Sequence, residues 1–446
     1  MNRIYIALFL TCIFSSQPWG GVPLAKGTML AQAIVAPVPI AQKAPSAPRA
    51  DPPLPKIPMM LPEPDAAEKI RVVIQGSPRT LTIHGGLQRD MEEYLKNHGN
   101  PVAAVVLAEV ATGNILLMAQ GKSPAEWHSL SHTAFHEHFP AASIFKFVST
   151  LAAIDGLGLD GRYPLALNHR CGTVLPSDFW EPTPGKKKRK AAHQMPLEEA
   201  FGHSCNAYFA KLGALEVGLP AITHYAEIFG WAQSSTNKVK TDFYLPPSPF
   251  RPLPADIMDP LDLGELAAGL GPVGMSPAHA ASIMLLIANN GVPKKIRLFE
   301  TTDSANESPA ASLFGADTSA KIRTIMHKTV QGGTATSVFH KRAYGYLRER
   351  VGAKTGTRQG RLDTFPKNTP ANGLLSTWLT AVYPYDKPEV VVAAVVANTE
   401  AWQIKGSQLA AEALRQWDAA KRGLVAVMDK PVHKSRGKKS KRRHKS

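Results

Sequence analysis

The chain has 446 residues and a mass of 48.1 kDa, with 44% hydrophobic and 19% charged residues. Wholesale disorder is thereby excluded, and a large core can be buried without disulfide staples. The formal net charge is +16, but fourteen of these charges lie in two short runs, KKKRK at 186–190 and the acid-free tail 430–446. The remaining body is nearly neutral, which argues against nucleic-acid binding across a basic surface.

Read in chain order, the sequence opens with Asn2-Arg3 and an eleven-residue apolar run, IYIALFLTCIF at 4–14. The run is too short to span a membrane comfortably and reads as an export signal over residues 1–33, with an uncleaved anchor as the alternative. Small-residue cleavage sites follow at Gly20-Gly21 and Ala31-Gln32-Ala33. Residues 18–64 hold twelve of the 37 prolines, so residues 34–84 are expected to form a semi-extended linker. The folded domain is expected over 85–425, and the basic residues 426–446 are expected to be disordered.

Within the domain, PVAAVVLAEV (101–110) and ILLMA (115–119) flank Thr112-Gly113-Asn114, a hairpin signal. Helical patterning follows from Ser143 to about Ile154, and again over 207–216, 277–290, 318–330 and 406–421. Strand-like runs return at 352–357, 376–384 and 390–398. Two strands early and three late, with helices between, predict an α+β fold with a five-stranded antiparallel sheet flanked by helices. Loops 161–193 and 233–262 are long, as functional loops often are. Beyond the apolar run, only Cys171 and Cys205 remain. They are either one bridge in an oxidising compartment or, on the plainer reading, two unpaired thiols.

Three short sequences carry the candidate chemistry. Ser143-Ile144-Phe145-Lys146 sets a hydroxyl and an amine three residues apart, on one helix face. Serine needs a base to become a nucleophile, and a lysine can serve if burial or neighbouring cations lower its pKa. Ser204-Cys205-Asn206 precedes a helical run, where Ser204 reads as a helix cap or as a proton relay, and Asn206 as an orienting amide. Lys354-Thr355-Gly356-Thr357 supplies a cation and two hydroxyls on a strand, with Gly356 allowing another backbone to approach. A peptide could add to that strand edge. Singly, each motif is weak.

Together, in this order and separated by 61 and 150 residues, they match the signature of penicillin-binding proteins and β-lactamases. The sequence resembles the penicillin-binding protein transpeptidase family over most of residues 85–425. PVAAVVLAEVATGNILLMA is similar to its first hairpin, PAASIFKFVSTLAAID to its nucleophile helix, and VQGGTATS to the stretch before its K-T-G strand. The resemblance implies the β-lactamase/transpeptidase-like fold with an all-helical subdomain. It implies Ser143 as the acylated nucleophile and Lys146 as general base. Ser204 and Lys354 would pass a proton to the leaving D-Ala amine, and Asn206 would position the substrate. Thr355 and Thr357 would bind the terminal carboxylate, and the backbone N–H groups of Ser143 and Thr357 would form the oxyanion hole. Two departures stand out: Gly269-Leu270-Gly271 where the family often has Gly-Gln-Gly, and Ala353 where Gly is frequent.

The implied activity is a serine D,D-transpeptidase acting on D-Ala-D-Ala stem peptides in peptidoglycan cross-linking, with β-lactams as covalent inhibitors. The alternatives are a D,D-carboxypeptidase or a β-lactam sensor without turnover. A β-lactamase fits less well, because no E-x-x-x-N lies between Asn206 and Lys354. No cofactor or metal is expected. His128, His132, His136 and His138 cluster before Ser143 without forming H-E-x-x-H. The expected location is the periplasm or cell envelope. There the basic tail would meet an anionic wall polymer or membrane surface if it binds anything.

Overall fold

The computed structural model describes residues 54–58, 60–121, 132–135, 139–167, 171–172, 174, 193–231, 239–301, 310–360, 374–398 and 404–423, all within the compact unit Pro53–Ser446. The apolar run 4–14, KKKRK and the basic tail lie outside the described residues, as do His128, His136 and His138.

In chain order the elements begin with β1 (Arg71–Ile74), β2 (Ser77–Thr80), α1 (Gly85–Asn97), β3 (Val102–Glu109), β4 (Ile115–Gln120), β5 (Phe139–Pro140) and α2 (Lys146–Leu151). They continue with β6 (Pro164–Leu167), β7 (His193–Pro196), α3 (Leu197–Gly202), α4 (Asn206–Lys211), α5 (Gly218–Ile228), α6 (Pro260–Ala267), β8 (Gly274–Met275) and α7 (Pro277–Ala288). The last are α8 (Ala316–Gln331), α9 (Thr336–Phe339), β9 (Gly352–Gly360), β10 (Leu374–Tyr383), β11 (Val390–Asn398) and α10 (Gly406–Lys421).

The main sheet has five strands in the order β4-β3-β11-β10-β9, antiparallel throughout, as the sequence led us to expect. It is covered on both faces, which is why β3 and β11 read as continuous apolar runs rather than alternating ones. Ala103, Val105 and Leu107 pack with Met91 and Leu95 of α1 and Leu409 and Leu414 of α10. Ala104, Val106 and Ala108 point the other way, into a larger core shared with Ile283 and Ile287 of α7 and Val148 of α2. α7 is capped by Ser276, whose hydroxyl accepts from the His279 N–H, and starts with Pro277. Its apolar residues surround the helix, as suits a helix buried along nearly its whole length.

One domain boundary needs correction. The linker expected over 34–84 is folded onto the domain from residue 54 onward. β1 and β2 form a hairpin through Gln75-Gly76, both at positive φ, the conformation that tight two-residue hairpin turns demand. Val72 and Ile74 face inward with Ile70, Leu81 bridges to Phe299, and Ile57 is buried. Proline density drew the boundary too far along the chain, although the alternation in RVVIQGSPRTLTI already carried a hairpin. Similarly, loop 161–193 contains β6, which pairs with β7 and closes the base of that loop. No described helix is long and apolar enough to cross a membrane.

Candidate active site

Ser143 lies in a 3-10 turn, Ala142–Phe145, that leads directly into α2 and then into a π turn at Ala152–Gly156. The expected helix is therefore present, but its hydrogen-bond register tightens at its start and widens at its end. Ala142 has φ +49°, a left-handed conformation that costs about 1–2 kcal/mol for a non-glycine residue. The turn is held by Gly269, itself at φ +79°, where an added Cβ would lie 2.1 Å from the Ala142 carbonyl oxygen. Only glycine allows this approach.

Lys146 is fully buried. Its Nζ lies 2.8 Å from Ser143 Oγ, 2.8 Å from Asn206 Oδ1 and 2.6 Å from the Ala268 carbonyl oxygen. That carbonyl stands at the C-terminal end of α6, where helix carbonyls lack intrahelical partners. The next one back, at Ala267, accepts from Ser149 Oγ at 2.7 Å. Burial, and secondarily the charge of Lys354, hold the Lys146 amine well below the ordinary lysine value.

Lys354 on β9 is also fully buried. It donates to Ser204 Oγ and to the Thr355 carbonyl, each at 2.8 Å, and its Nζ stands 5.4 Å from the centre of the Phe201 ring. Burial pushes its pKa down to about 7. Ser204 sits at φ +56°, in the turn between α3 and α4. The second motif is clamped by a Cys171–Cys205 disulfide, so the two thiols are paired rather than free. The clamp has a consequence for Asn206. Its backbone N–H donates to the Cys171 carbonyl at 2.8 Å, and its Nδ2 donates to the Gly172 carbonyl at 3.1 Å. With Nδ2 so engaged, Oδ1 is the atom turned to Lys146.

Ser143, Lys146 and Asn206 are thus joined by direct hydrogen bonds, and so are Ser204 and Lys354. Thr355 is half-buried and Thr357 exposed on β9, which ends the strand order. Gly356 packs against the turn that carries Ser143. A Cβ there would lie 3.3 Å from Ile144 Cγ1 and 3.4 Å from Ala142 Cβ. The sequence reading missed three participants: the Ala268 carbonyl, the Cys171-Gly172 clamp and Thr334. The Thr334 and Thr355 hydroxyls are in direct hydrogen-bond contact. VQGGTATS was noticed as a stretch, yet nothing in it marks one threonine as facing β9. Of the histidine cluster, His132 is buried, accepts from the Ala134 N–H and is pushed down to about 3 by burial. Among the described residues, no group of His, Cys, Asp and Glu is arranged to hold a metal.

The fold is that of penicillin-binding protein transpeptidase domains. The chain belongs to the penicillin binding protein transpeptidase domain family, whose model matches residues 103–417. It is 26% identical over 336 residues to the peptidoglycan D,D-transpeptidase PbpA of Mycolicibacterium smegmatis, covering 66% of this chain and 62% of that protein. It is 27% identical over 295 residues to PbpA of Mycobacterium tuberculosis, covering 62% and 53%. The chain therefore spans less than two thirds of the length of these relatives. Among solved structures it superposes on the D,D-transpeptidase domain of a peptidoglycan glycosyltransferase from Eggerthella lenta, with a TM-score of 0.57, 22% identity and coverage of 77% and 83%. It also matches penicillin-binding protein A of M. tuberculosis in a ceftriaxone acyl-enzyme complex, with a TM-score of 0.55, 23% identity and coverage of 76% and 79%. At these identities the structural likeness is one of fold.

Proposed function

We propose that the chain is a serine D,D-transpeptidase that forms an acyl-enzyme on Ser143 from peptidoglycan stem peptides ending in D-Ala-D-Ala. The observation that carries this reading is the set of acceptors around Lys146. A neutral amine has two N–H bonds and one lone pair. Asn206 Oδ1 and the Ala268 carbonyl can only accept, so they take the two N–H bonds. The lone pair is left facing Ser143 Oγ, whose proton it can remove. Burial favours that neutral state.

As Ser143 Oγ bonds to the penultimate D-Ala carbonyl carbon, its proton moves to Lys146. The oxyanion is held by the backbone N–H groups of Ser143 and Thr357. The C–N bond then breaks, and the leaving D-Ala amine takes a proton through Ser204 from the Lys354 side of the site. Thr355 and Thr357 hold the terminal carboxylate, and Asn206 orients both Lys146 and the peptide. An acceptor amine then attacks the ester and regenerates Ser143. A β-lactam follows the first half of this path, but its leaving nitrogen stays tethered. The family membership and the PbpA relatives support the substrate class. We further propose export to the cell envelope on a proline-rich tether ending near residue 53, with the basic residues 426–446 contacting an anionic polymer or membrane surface.

The test is incubation with stem pentapeptide, with and without an amine acceptor, followed by mass spectrometry. A cross-linked product is expected. Release of D-Ala alone, whatever amine is supplied, would make the protein a carboxypeptidase. Penicillin acylation with no peptide turnover would make it a sensor.

A further inference from the structure

We infer that Thr334 is a positioning residue for the carboxylate end of the ligand, acting through Thr355. This rests on the reading of Ser143 as a nucleophile for ligands with a terminal carboxylate. Thr334 follows Gly332-Gly333 at the end of α8 and is exposed on the active-site side of that turn. Its backbone N–H donates to the Gly202 carbonyl at 3.0 Å, and its Oγ1 lies 3.4 Å from the same oxygen. The crossing is close because both partners are glycines. A Cβ on Gly333 would lie 2.1 Å from the Gly202 oxygen, and one on Gly202 would lie 3.1 Å from the Lys328 backbone. Gly202 ends α3, two residues before Ser204. The Thr334 hydroxyl is therefore fixed between the turn that carries Ser204 and the strand that carries Thr355, and it contacts Thr355 Oγ1 directly.

Two hydroxyls in contact share one proton between their oxygens, and either can be the donor. In the resting site, the Gly202 carbonyl offers the Thr334 proton a second acceptor, which leaves Thr355 free to donate to Thr334. A carboxylate accepts only. When it arrives, Thr355 must turn its proton to the anion, and its oxygen then needs a donor. Thr334 is the group in place to supply that proton. The resulting chain, Thr334 to Thr355 to carboxylate, ends on a charge, where a hydrogen bond is strongest and where each link polarises the next. Thr334 thus sets a preference for a charged terminus over a neutral one without touching the reacting atoms.

The experiment compares acylation of Ser143 by benzylpenicillin and by its methyl ester, read by mass spectrometry. Thr334→Val keeps shape and removes the hydroxyl. It is expected to slow acylation by the free acid about tenfold and to leave the ester within about twofold. Thr334→Ser should restore the preference for the acid, and in a Thr355→Val background the valine variant should have no further effect. Equal losses on acid and ester would reduce Thr334 to a structural tie and overturn the inference, as would an undiminished preference for the acid or a serine variant as weak as valine. Wild-type protein acylated by neither probe would instead overturn the nucleophile reading itself, and the inference with it.

Discussion

The two buried lysines are chemically unequal, and the difference comes from what surrounds each nitrogen. Lys146 faces two obligate acceptors and one hydroxyl, whereas Lys354 faces Ser204 and its own strand's next carbonyl. Arginine keeps a charge at either place but does not give up its proton near neutral pH. Lys146→Arg is therefore expected to lower the penicillin acylation rate by about a thousandfold or more, measured by stopped labelling. A rate within a few-fold of wild type would remove Lys146 as the base. Lys354 carries a separate thermodynamic signature. Its folded pKa, about 7, is below that of an unfolded lysine. Between about pH 7 and pH 10 the unfolded chain binds the extra proton, so stability rises with pH across that window. Below it both states are protonated, and the cost of a buried ammonium is borne in full. Lys354→Met should then raise the thermal midpoint at pH 6, and the advantage should shrink toward pH 10. The difference between the two proteins should change by up to about 1.4 kcal/mol per pH unit within the window. A gain independent of pH would contradict the burial argument.

At the scale of elements, most of the architecture was legible and the connections were not. β3, β4, β10 and β11 were visible because apolar runs in a doubly covered sheet need no alternation to be recognised. α8 and α10 were visible by their period, and α7 as an apolar run too long for a strand. The helices α1, α5 and α6 were passed over: the apolar stripe of α1 is only Leu87, Met91 and Leu95 among polar and charged residues, and α5 and α6 are short and interrupted by glycine or proline. The candidate site was legible as side chains but not as geometry. S-x-x-K, S-x-N and K-T-G name the residues, whereas the Ala268 carbonyl has no sequence signal, since any residue supplies a carbonyl. Likewise, two cysteines cannot announce their pairing when neither spacing nor count decides it. The disulfide gives this level its prediction. It closes a loop with a sequence separation of 34 residues and fixes the segment that orients Asn206. In a chain-entropy model such a loop contributes about 4 kcal/mol. The Cys171→Ser, Cys205→Ser double variant should unfold at lower temperature and acylate more slowly, both by a measurable margin in the absence of reductant. Unchanged acylation with lowered stability would show that Asn206 holds its orientation without the clamp.

For the whole molecule, the folded domain begins near residue 54 rather than at 85. Ile57, Ile70 and Val72 are buried, and the Pro55 carbonyl accepts from the Tyr244 N–H. Removing residues 1–53 is expected to leave thermal stability and acylation near those of the longer chain. Removing residues 1–84 takes away the β1–β2 hairpin and exposes its seat against Phe299, so the midpoint should fall by several degrees or the protein should not fold. Equal stability of the two truncations would return the hairpin to the linker. Common to all three scales is the proposed pairing of Ser143 with the buried Lys146 amine, 2.8 Å away. The most direct measurement is covalent labelling with a fluorescent penicillin, followed by proteolysis and mass mapping of the adduct. The account predicts one label per chain, located on Ser143 and abolished in Ser143→Ala. Labelling that persists in Ser143→Ala, or maps to another residue, would contradict it.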